Sequence, residues 1–260
     1  MPMKPVTQSC KNILITGASA GLGSELAQAY AAPGVLLALI GRNAERLDAV
    51  GNRCREQGAE VITASIDVTE LDRLSAWIAD FDRTHPLDLV IANAGVSSTI
   101  SGLQAGESWA NIRQVFDTNL YGTLATIFPA IEAMRARGHG QIAMMSSLGA
   151  YVGMPISPAY NASKAAIKVW GEGLRGWLAP QGVGVTVVCP GFVKSAMSDA
   201  YPGPRPFLVP ADKAAAIIKA GLARNPARIA FPFPLVLAMW FLSILPPAMS
   251  LALQRVFRFG

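Results

Sequence analysis

Short segments rich in apolar and β-branched residues alternate along most of this chain with segments of helical periodicity. Six such segments, at residues 12–16, 35–40, 59–66, 87–92, 141–146 and 183–189, predict buried strands, and residues 228–231 predict a short seventh strand. Between them, apolar residues recur at helical spacing, as in predicted helices over residues 22–32 and 211–223. Strands that alternate with helices predict an α/β fold with one doubly wound parallel sheet and helices on both faces.

A glycine-rich loop joins the first predicted strand to the first predicted helix. After Thr16, glycines follow at positions 17, 21 and 23, in the spacing G-x-x-x-G-x-G rather than the commoner G-x-G-x-x-G. Glycine permits a tight turn and close approach of backbone to a pyrophosphate, and a helix N-terminus favours the anion. This context predicts a Rossmann-type dinucleotide site over a simple turn, formed by Gly17, Ser19, Gly21, Leu22 and Gly23.

The end of the second predicted strand indicates the form of the dinucleotide. An acidic residue at this place accepts from the ribose 2′-hydroxyl and repels a 2′-phosphate. Gly41 and Arg42 stand there instead, followed by Asn43. The sequence therefore favours NADP(H) over NAD(H), with an ordinary solvated arginine as the alternative interpretation of Arg42.

Residues 157–164, S-P-A-Y-N-A-S-K, predict the site of chemistry. Ser157 suits the N-cap of a helix, and Pro158 suits its first position. Tyr160 and Lys164 then share one helical face. A free tyrosine has a pKa of about 10, and a neighbouring ammonium lowers it, so the pair predicts an acid/base. The alternative is an exposed tyrosine and lysine on an ordinary helix.

The composition narrows the function classes. The 260 residues are 52% hydrophobic and only 15% charged, which fits a buried parallel sheet with additional apolar surface. The net charge is +5, which suits an anionic partner. The sequence contains no run of Lys and Arg with interleaved aromatic residues, so we expect no nucleic-acid partner. The three cysteines, Cys10, Cys54 and Cys189, include no C-x-x-C pair, so we expect no disulfide framework, no metal site and a cytoplasmic location. Residues 1–10 lack an apolar core, so we expect no signal peptide.

Five marks occur here in the order that they have in the short-chain dehydrogenase/reductase family, and the chain resembles its compact type. They are the glycine loop after Thr16, Asn93-Ala94-Gly95, Ser147 thirteen positions before the tyrosine, Tyr160-x-x-x-Lys164, and Pro190-Gly191. The resemblance spans residues 11 to about 225. Each mark is weak alone, whereas five in this order identify a member of the family.

The resemblance implies roles for particular residues. Tyr160 would be the acid/base, and Ser147 would bond the substrate carbonyl or alcohol. Lys164 would lower the Tyr160 pKa and hold the nicotinamide ribose. Asn119 would distort its helix locally and hold a water that links Lys164 to solvent.

Further residues are implied around the cofactor. Asp67 and Val68 would meet the adenine, Asn93 with Ala94 and Gly95 the adenosine ribose region, and Pro190, Gly191, Val193 and Ser195 the nicotinamide. Ser195 stands where the family usually has Thr, and its hydroxyl would keep the contact. Ala20 stands where many NADP-dependent members have Arg, Lys or Ser, which weakens the preference for NADP(H).

The end of the chain departs from the family pattern. No charged residue lies between Arg228 and Arg255, and prolines at 232, 234, 246 and 247 interrupt the stretch, so no membrane-spanning helix is predicted. We therefore divide the chain into a catalytic domain, residues 1–231, and an apolar extension, residues 232–260. If helical, residues 248–259 carry Ser250, Gln254, Arg255 and Arg258 on one face and Met249, Ala252, Leu253, Val256 and Phe257 on the other. A peripheral membrane contact on the inner face of a membrane is favoured, with a homodimer or homotetramer interface and a hydrophobic substrate lid as alternatives.

These observations predict an NADPH-preferring oxidoreductase that interconverts a ketone or aldehyde and an alcohol. The expected substrate is small and apolar, with lipid-like character. The loops at residues 96–107 and 196–209 shape the predicted pocket, and neither has a motif that names the substrate. Two alternatives of other classes are a catalytically silent NADP-binding sensor or scaffold, and a membrane-surface adaptor.

Overall fold

The protein, seen in a computed structural model, is described for residues 10–98 and 106–256. Seven strands of these residues form one sheet in which every neighbouring pair is parallel. They are β1 (Asn12–Thr16), β2 (Leu36–Gly41), β3 (Glu60–Ser65), β4 (Leu89–Ala92), β5 (Gly140–Met145), β6 (Val183–Pro190) and β7 (Arg228–Phe231). Their spatial order, β3-β2-β1-β4-β5-β6-β7, confirms the predicted doubly wound α/β fold.

Helices cover both faces of this sheet. They are α1 (Gly21–Tyr30), α2 (Ala44–Glu56), α3 (Leu71–Thr84), α4 (Trp109–Phe116), α5 (Gly122–Arg137), α6 (Pro158–Leu178), α7 (Ala196–Asp199), α8 (Ala211–Leu222), α9 (Phe233–Ile244) and α10 (Pro247–Val256). Helix α1 packs between α2 and α8, and α3 packs against α5. Successive residues of β1 show the two layers, because Ile13 and Ile15 are buried in one apolar cluster and Leu14 in the other.

The strand order reverses between β1 and β4. From β1 the chain winds outward to β2 and β3, and from β4 it winds the other way, toward β7. A ligand crevice forms beyond the carboxyl ends of the strands at such a reversal. The glycine loop that follows β1 and the Asn93-Ala94-Gly95 segment that follows β4 meet at this point.

Two helices follow β7. Leu235, Met239 and Leu242 of α9 are buried in the cluster that also holds the centre of the sheet. Within residues 10–98 and 106–256, no helix is long and apolar enough to cross a membrane. The division of the chain at residue 231 stays a prediction.

Helix α10 turns part of its polar face toward the body of the protein. Ser250 and Gln254 are buried against the body of the protein, and Met249 and Val256 are exposed. Gln254 Nε2 donates to the backbone oxygen of Gly153 at 3.3 Å, which explains why this polar edge turns inward. Phe257 and Arg258 lie outside the described residues.

Candidate active site

One cavity of about 430 Å³ lies at the carboxyl ends of the central strands. Most residues predicted for cofactor binding and catalysis line it: Gly17, Ser19, Gly21, Leu22, Gly23, Arg42, Asp67, Val68, Asn93, Ala94, Gly95, Ser147, Tyr160, Lys164, Pro190, Gly191, Val193 and Ser195. Asn43 and Asn119 are not among the lining residues. The fold thus brings together side chains from positions 17 to 195.

The glycine loop forms one end of the cavity because side chains would not fit there. Gly17 has φ +66, and a Cβ on it would lie 2.8 Å from the Cα of Ala94. A Cβ on Gly23 would lie 2.2 Å from the backbone oxygen of Gly17. Asn93 Nδ2 donates to the backbone oxygen of Thr16 at 3.0 Å and so joins the ends of β1 and β4.

The N-terminus of α1 fits the pyrophosphate of a dinucleotide. Ala20, Gly21 and Leu22 line the cavity, and Ala20 occupies the N-cap without a side chain that could cap the helix. The first turn of α1 holds no acidic residue. Backbone N–H groups and the positive end of the helix dipole are therefore available to an anion in the cavity.

The ribose end of the cavity carries one exposed cation. Arg42 Nη1 lies 3.5 Å from Asp67 Oδ2, in an ion pair that leaves most of the arginine side chain exposed. A Cβ on Gly41 would lie 3.1 Å from the hydroxyl oxygen of Ser19, so Ser19 is the neighbour of this position. Asn43 instead caps α2, because its Oδ1 accepts from the Arg46 backbone N–H at 2.8 Å.

Helix α6 places Tyr160 and Lys164 side by side in the middle of the cavity. Lys164 Nζ lies 5.8 Å from the centre of the Tyr160 ring and donates to the backbone oxygen of Met145 at 2.9 Å. Ser147 follows β5, and its Oγ accepts from the Gly149 backbone N–H at 3.0 Å. The hydroxyl of Ser146 donates to the Lys164 backbone oxygen at 2.7 Å, which fixes α6 against the end of β5.

Burial dominates the electrostatics of this pair. It raises the pKa of the Tyr160 phenol, and a hydrogen bond with Ser147 offsets only part of the rise. It also lowers the pKa of the Lys164 ammonium to about 8. The direction at Tyr160 is opposite to the lowering predicted from Lys164, whose ammonium here donates to Met145 instead.

Asn119 lies behind the cavity wall at a break in helical geometry. A π-helical turn, Asp117–Tyr121, separates α4 from α5, so the predicted local distortion is present. Asn119 Oδ1 accepts from the Val96 N–H at 2.8 Å, and its Nδ2 donates to the Val96 backbone oxygen at 2.9 Å and to Ser163 Oγ at 3.1 Å. This amide holds the segment after β4 against α6. A Cβ on Gly95 would lie 3.3 Å from both Asn119 Oδ1 and Lys164 Nζ.

Sequence reasoning missed Glu107, which caps α6, the helix of Tyr160 and Lys164. Ser157 occupies the N-cap position of α6 as predicted, but its side chain does not cap the helix and bonds Asn161 Oδ1 at 3.2 Å. Instead, Glu107 Oε2 accepts from the Ala159 N–H at 2.9 Å, and Glu107 Oε1 accepts from the Ser98 hydroxyl at 2.7 Å. No local pattern signals a cap that lies 52 positions before the residue whose N–H group it binds. Residues 99–105 of the predicted substrate loop lie outside the described residues.

Apolar and aromatic side chains from several elements line the cavity together with Tyr160. They are Leu148, Met154, Phe192, Met197, Tyr201, Leu235 and Met239. Leu235 and Met239 were assigned by sequence to the apolar extension rather than to the site. Leu235 reaches the cavity because Gly191 has no side chain, and a Cβ there would lie 2.8 Å from Leu235 Cδ2. Across the described parts of the chain, no group of three His, Cys, Asp or Glu residues could hold a metal ion.

The fold and the glycine loop define a dinucleotide-binding α/β protein with a tyrosine–lysine site. The family model for short chain dehydrogenases matches residues 11–203, and the chain belongs to that family. A protein of Myxococcus xanthus described as an uncharacterized oxidoreductase is 35% identical over 250 residues, which cover 95% of this chain and 98% of the relative.

Two other comparisons extend the family likeness. 11-beta-hydroxysteroid dehydrogenase 1A of Arabidopsis thaliana is 38% identical over 191 residues, or 72% of this chain and 54% of that protein. A short-chain dehydrogenase from Sphingobium yanoikuyae, solved in complex with NADPH, superimposes with a TM-score of 0.77 at 23% identity, covering 95% of each chain. The relatives support an oxidoreductase, and the solved structure supports the fold.

Proposed function

We propose that the protein is an NADP(H)-dependent oxidoreductase that interconverts an apolar ketone or aldehyde and the corresponding alcohol. One observation carries this proposal. Ser147, Tyr160 and Lys164 line the same cavity as the glycine loop and as a set of seven apolar or aromatic side chains. A cofactor bound along the loop and a substrate against these side chains would meet at Tyr160.

Each polar residue then has a defined task. The backbone of the glycine loop binds the pyrophosphate, and a bound nicotinamide supplies or accepts the hydride at the substrate carbon. Tyr160 donates its phenolic proton to the carbonyl oxygen during reduction and takes it back during oxidation. The Ser147 hydroxyl donates to the same oxygen and stabilises the charge that develops on it.

Lys164 and Asn119 support Tyr160 from behind. The Lys164 ammonium would bind the nicotinamide ribose, and the hydrogen bond with Ser147 offsets part of the rise in the Tyr160 pKa that burial causes. Asn119 keeps the segment after β4 in place beside Lys164. The predicted water between Asn119 and Lys164 would return protons from solvent to this pair.

Gly41 and Arg42 support NADP(H) rather than NAD(H). Residue 41 offers no carboxylate to the ribose, and the exposed Arg42 guanidinium is placed to bind a 2′-phosphate. A phosphate would compete with Asp67 for this arginine. The NADPH bound by the Sphingobium yanoikuyae enzyme agrees with this preference.

The substrate is proposed to be apolar and lipid-like. Seven apolar or aromatic side chains form its side of the cavity, with Ser147 and Tyr160 as the polar groups that orient the reacting oxygen. The relative named for hydroxysteroid oxidation is consistent with a large apolar alcohol or ketone.

A substrate screen tests this function. Ketones and aldehydes with NADPH, and alcohols with NADP⁺, are assayed by the change in nicotinamide absorbance, with long-chain and steroid compounds included. We expect turnover of apolar carbonyls and a higher kcat/KM with NADPH than with NADH. Tight NADPH binding without turnover of any compound would contradict the enzyme and favour the silent sensor.

Assembly into a homodimer or homotetramer is proposed through the exposed faces of α4, α5 and α6. Trp109 of α4, Phe128 of α5 and Val169 of α6 are exposed apolar residues on the helices that support the site. Exposed apolar patches of this kind mark contact surfaces. Sedimentation velocity of the full chain should give a dimer or larger species, and a monomer at micromolar concentration would contradict the assembly.

A further inference from the structure

Helix α9 is a wall with two apolar sides. Leu235 and Met239 line the active-site cavity from within. The opposite side of the same helix exposes Phe233, Leu237, Trp240, Phe241 and Ile244. One helix therefore separates the cavity that Tyr160 also lines from an apolar exterior.

The exterior of α9 offers almost no hydrogen-bonding groups. Between Phe233 and Ile244, only Ser243 and the indole N–H of Trp240 offer side-chain hydrogen-bonding groups, and the Ser243 hydroxyl already donates to the Trp240 backbone oxygen at 2.7 Å. No acidic residue occurs in the sequence after Arg228. This side of the helix can contact a partner almost only through apolar atoms.

Helix α10 extends the same exterior. Its polar side chains Ser250 and Gln254 are turned toward the body of the protein, while Met249, Leu251 and Val256 are exposed. We call the exposed side chains of both helices the C-terminal apolar surface: Phe233, Leu237, Trp240, Phe241, Ile244, Met249, Leu251 and Val256. Because Ser250 and Gln254 of α10 face the body of the protein, the outward side of this helix is mostly apolar.

We propose that the C-terminal apolar surface lies in the interfacial region of a lipid bilayer, so that α9 alone separates the lipid from the substrate part of the cavity. The proposed contact with lipid depends only on the C-terminal apolar surface. The proposed delivery of an apolar substrate from the bilayer depends, in addition, on the proposed function. An apolar ketone concentrated in the lipid would then need to pass only the edge of α9 to reach Tyr160.

The chemistry of this surface favours lipid over a second protein chain. A specific protein interface carries about one hydrogen bond per 100–200 Å², and the exposed side of α9 offers only the Trp240 indole N–H and the Ser243 hydroxyl oxygen as side-chain partners. Tryptophan such as Trp240 is enriched at the boundary between lipid and water. Arg255, exposed at the end of α10, suits an anionic headgroup.

Flotation with vesicles tests the lipid contact on the full chain. The vesicles are phosphatidylcholine alone or phosphatidylcholine with phosphatidylglycerol. Leu237→Glu and Phe241→Glu change side chains that are 53% and 48% exposed and do not line the cavity. Ile217→Glu on α8, at 41% exposure, is the matched control. We expect the wild type and the control to float, better with the anionic vesicles, and each surface variant to bind at least about tenfold more weakly.

A kinetic measurement tests the delivery of substrate. A short water-soluble ketone and a long-chain ketone presented in vesicles are compared with NADPH. The surface variants should keep kcat/KM for the soluble ketone within about twofold and lose about tenfold for the vesicle-borne ketone, in line with their weaker binding. Equal kcat/KM of wild type and variants on the vesicle-borne ketone would overturn delivery while leaving flotation as a separate result.

Two outcomes would overturn the lipid contact. One is a wild-type protein that stays unbound with both vesicle types. The other is a smaller assembly of Phe241→Glu than of wild type in sedimentation without vesicles, because it would show that a second copy covers the surface. If no ketone is reduced at all but the wild type floats and Phe241→Glu does not, the proposed function fails and the lipid contact stands.

Discussion

The carboxylate of Glu107 accepts a hydrogen bond from the backbone N–H of Ala159, at 2.9 Å, one residue before Tyr160. Its second oxygen accepts from the hydroxyl of Ser98, which follows the cavity-lining residue Ser97. An acidic group at a helix N-terminus satisfies an N–H group and interacts favourably with the helix dipole. Glu107 thereby holds both the start of α6 and one border of the cavity.

Removing this carboxylate should loosen α6. Glu107→Ala should lower the free energy of unfolding by about 0.5–2 kcal/mol, the usual cost of a lost cap. It should also lower kcat more than it changes the Kd for NADPH, since Tyr160 is displaced while the glycine loop is untouched. Glu107→Gln keeps one acceptor oxygen and should recover part of both losses. Urea unfolding and steady-state kinetics measure the effects, with exposed Glu132→Ala as the control. Unchanged stability and kcat in Glu107→Ala would refute the positioning role.

Loss of the Tyr160 hydroxyl should stop catalysis and spare the cofactor site. Tyr160→Phe removes only the proton donor, so turnover should fall by at least about 10²–10⁴-fold, the usual contribution of an acid/base. NADPH binding, followed by fluorescence, should change little. Tyr151→Phe is the matched control, because Tyr151 lies near α6 without lining the cavity. More than a tenth of wild-type activity in Tyr160→Phe would be incompatible with this assignment.

Exchange of the ribose-end residues should change the preferred cofactor. Gly41→Asp combined with Arg42→Ala places a carboxylate near the ribose and removes the partner of the 2′-phosphate. A Cβ at residue 41 would lie 3.1 Å from Ser19 Oγ, so a small shift of Ser19 accompanies the change. The ratio of kcat/KM for NADPH to that for NADH should fall, while exposed Arg46→Ala should leave it unchanged. An unaltered ratio in the double variant would mean that Ser19 or Asn43 binds the phosphate.

The buried ammonium of Lys164 should make stability depend on pH at the alkaline side. Its pKa falls from 10.5 to about 8 on burial, which corresponds to a cost of about 3 kcal/mol for keeping it charged in the folded state. Between these values the unfolded chain binds more protons than the folded one, so stability from this group rises with pH from about 8 to about 10.5. The stability gained by Lys164→Met over wild type should be largest below pH 8 and shrink toward pH 10.5.

Urea unfolding at a series of pH values measures this difference. Lys213→Met, an exposed lysine on α8, controls for the loss of a lysine as such. A difference between Lys164→Met and wild type that is constant from pH 7 to pH 10.5 would show that the ammonium is not destabilised by burial.

The sequence by itself determined the order of strands and helices and the end of the sheet where the site lies. Buried strands, helical periodicity and the loop after Thr16 are local patterns, and a parallel sheet places all its carboxyl ends at one edge. The four-residue spacing of Tyr160 and Lys164 is likewise a local property of a helix. These features could be predicted because each depends on residues that are close in the chain.

Tertiary structure alone decided the contacts that join distant segments. Glu107 caps α6 across 52 positions, whereas the local candidate Ser157 does not. Helix α9 became a wall of the cavity, because Leu235 fills the space beside Gly191 and Met239 of the same helix also lines the cavity. The apolar composition of residues 233–244 predicts that the segment is buried, but it does not predict which side chains are buried. Packing decides which of them contact the core and which remain exposed.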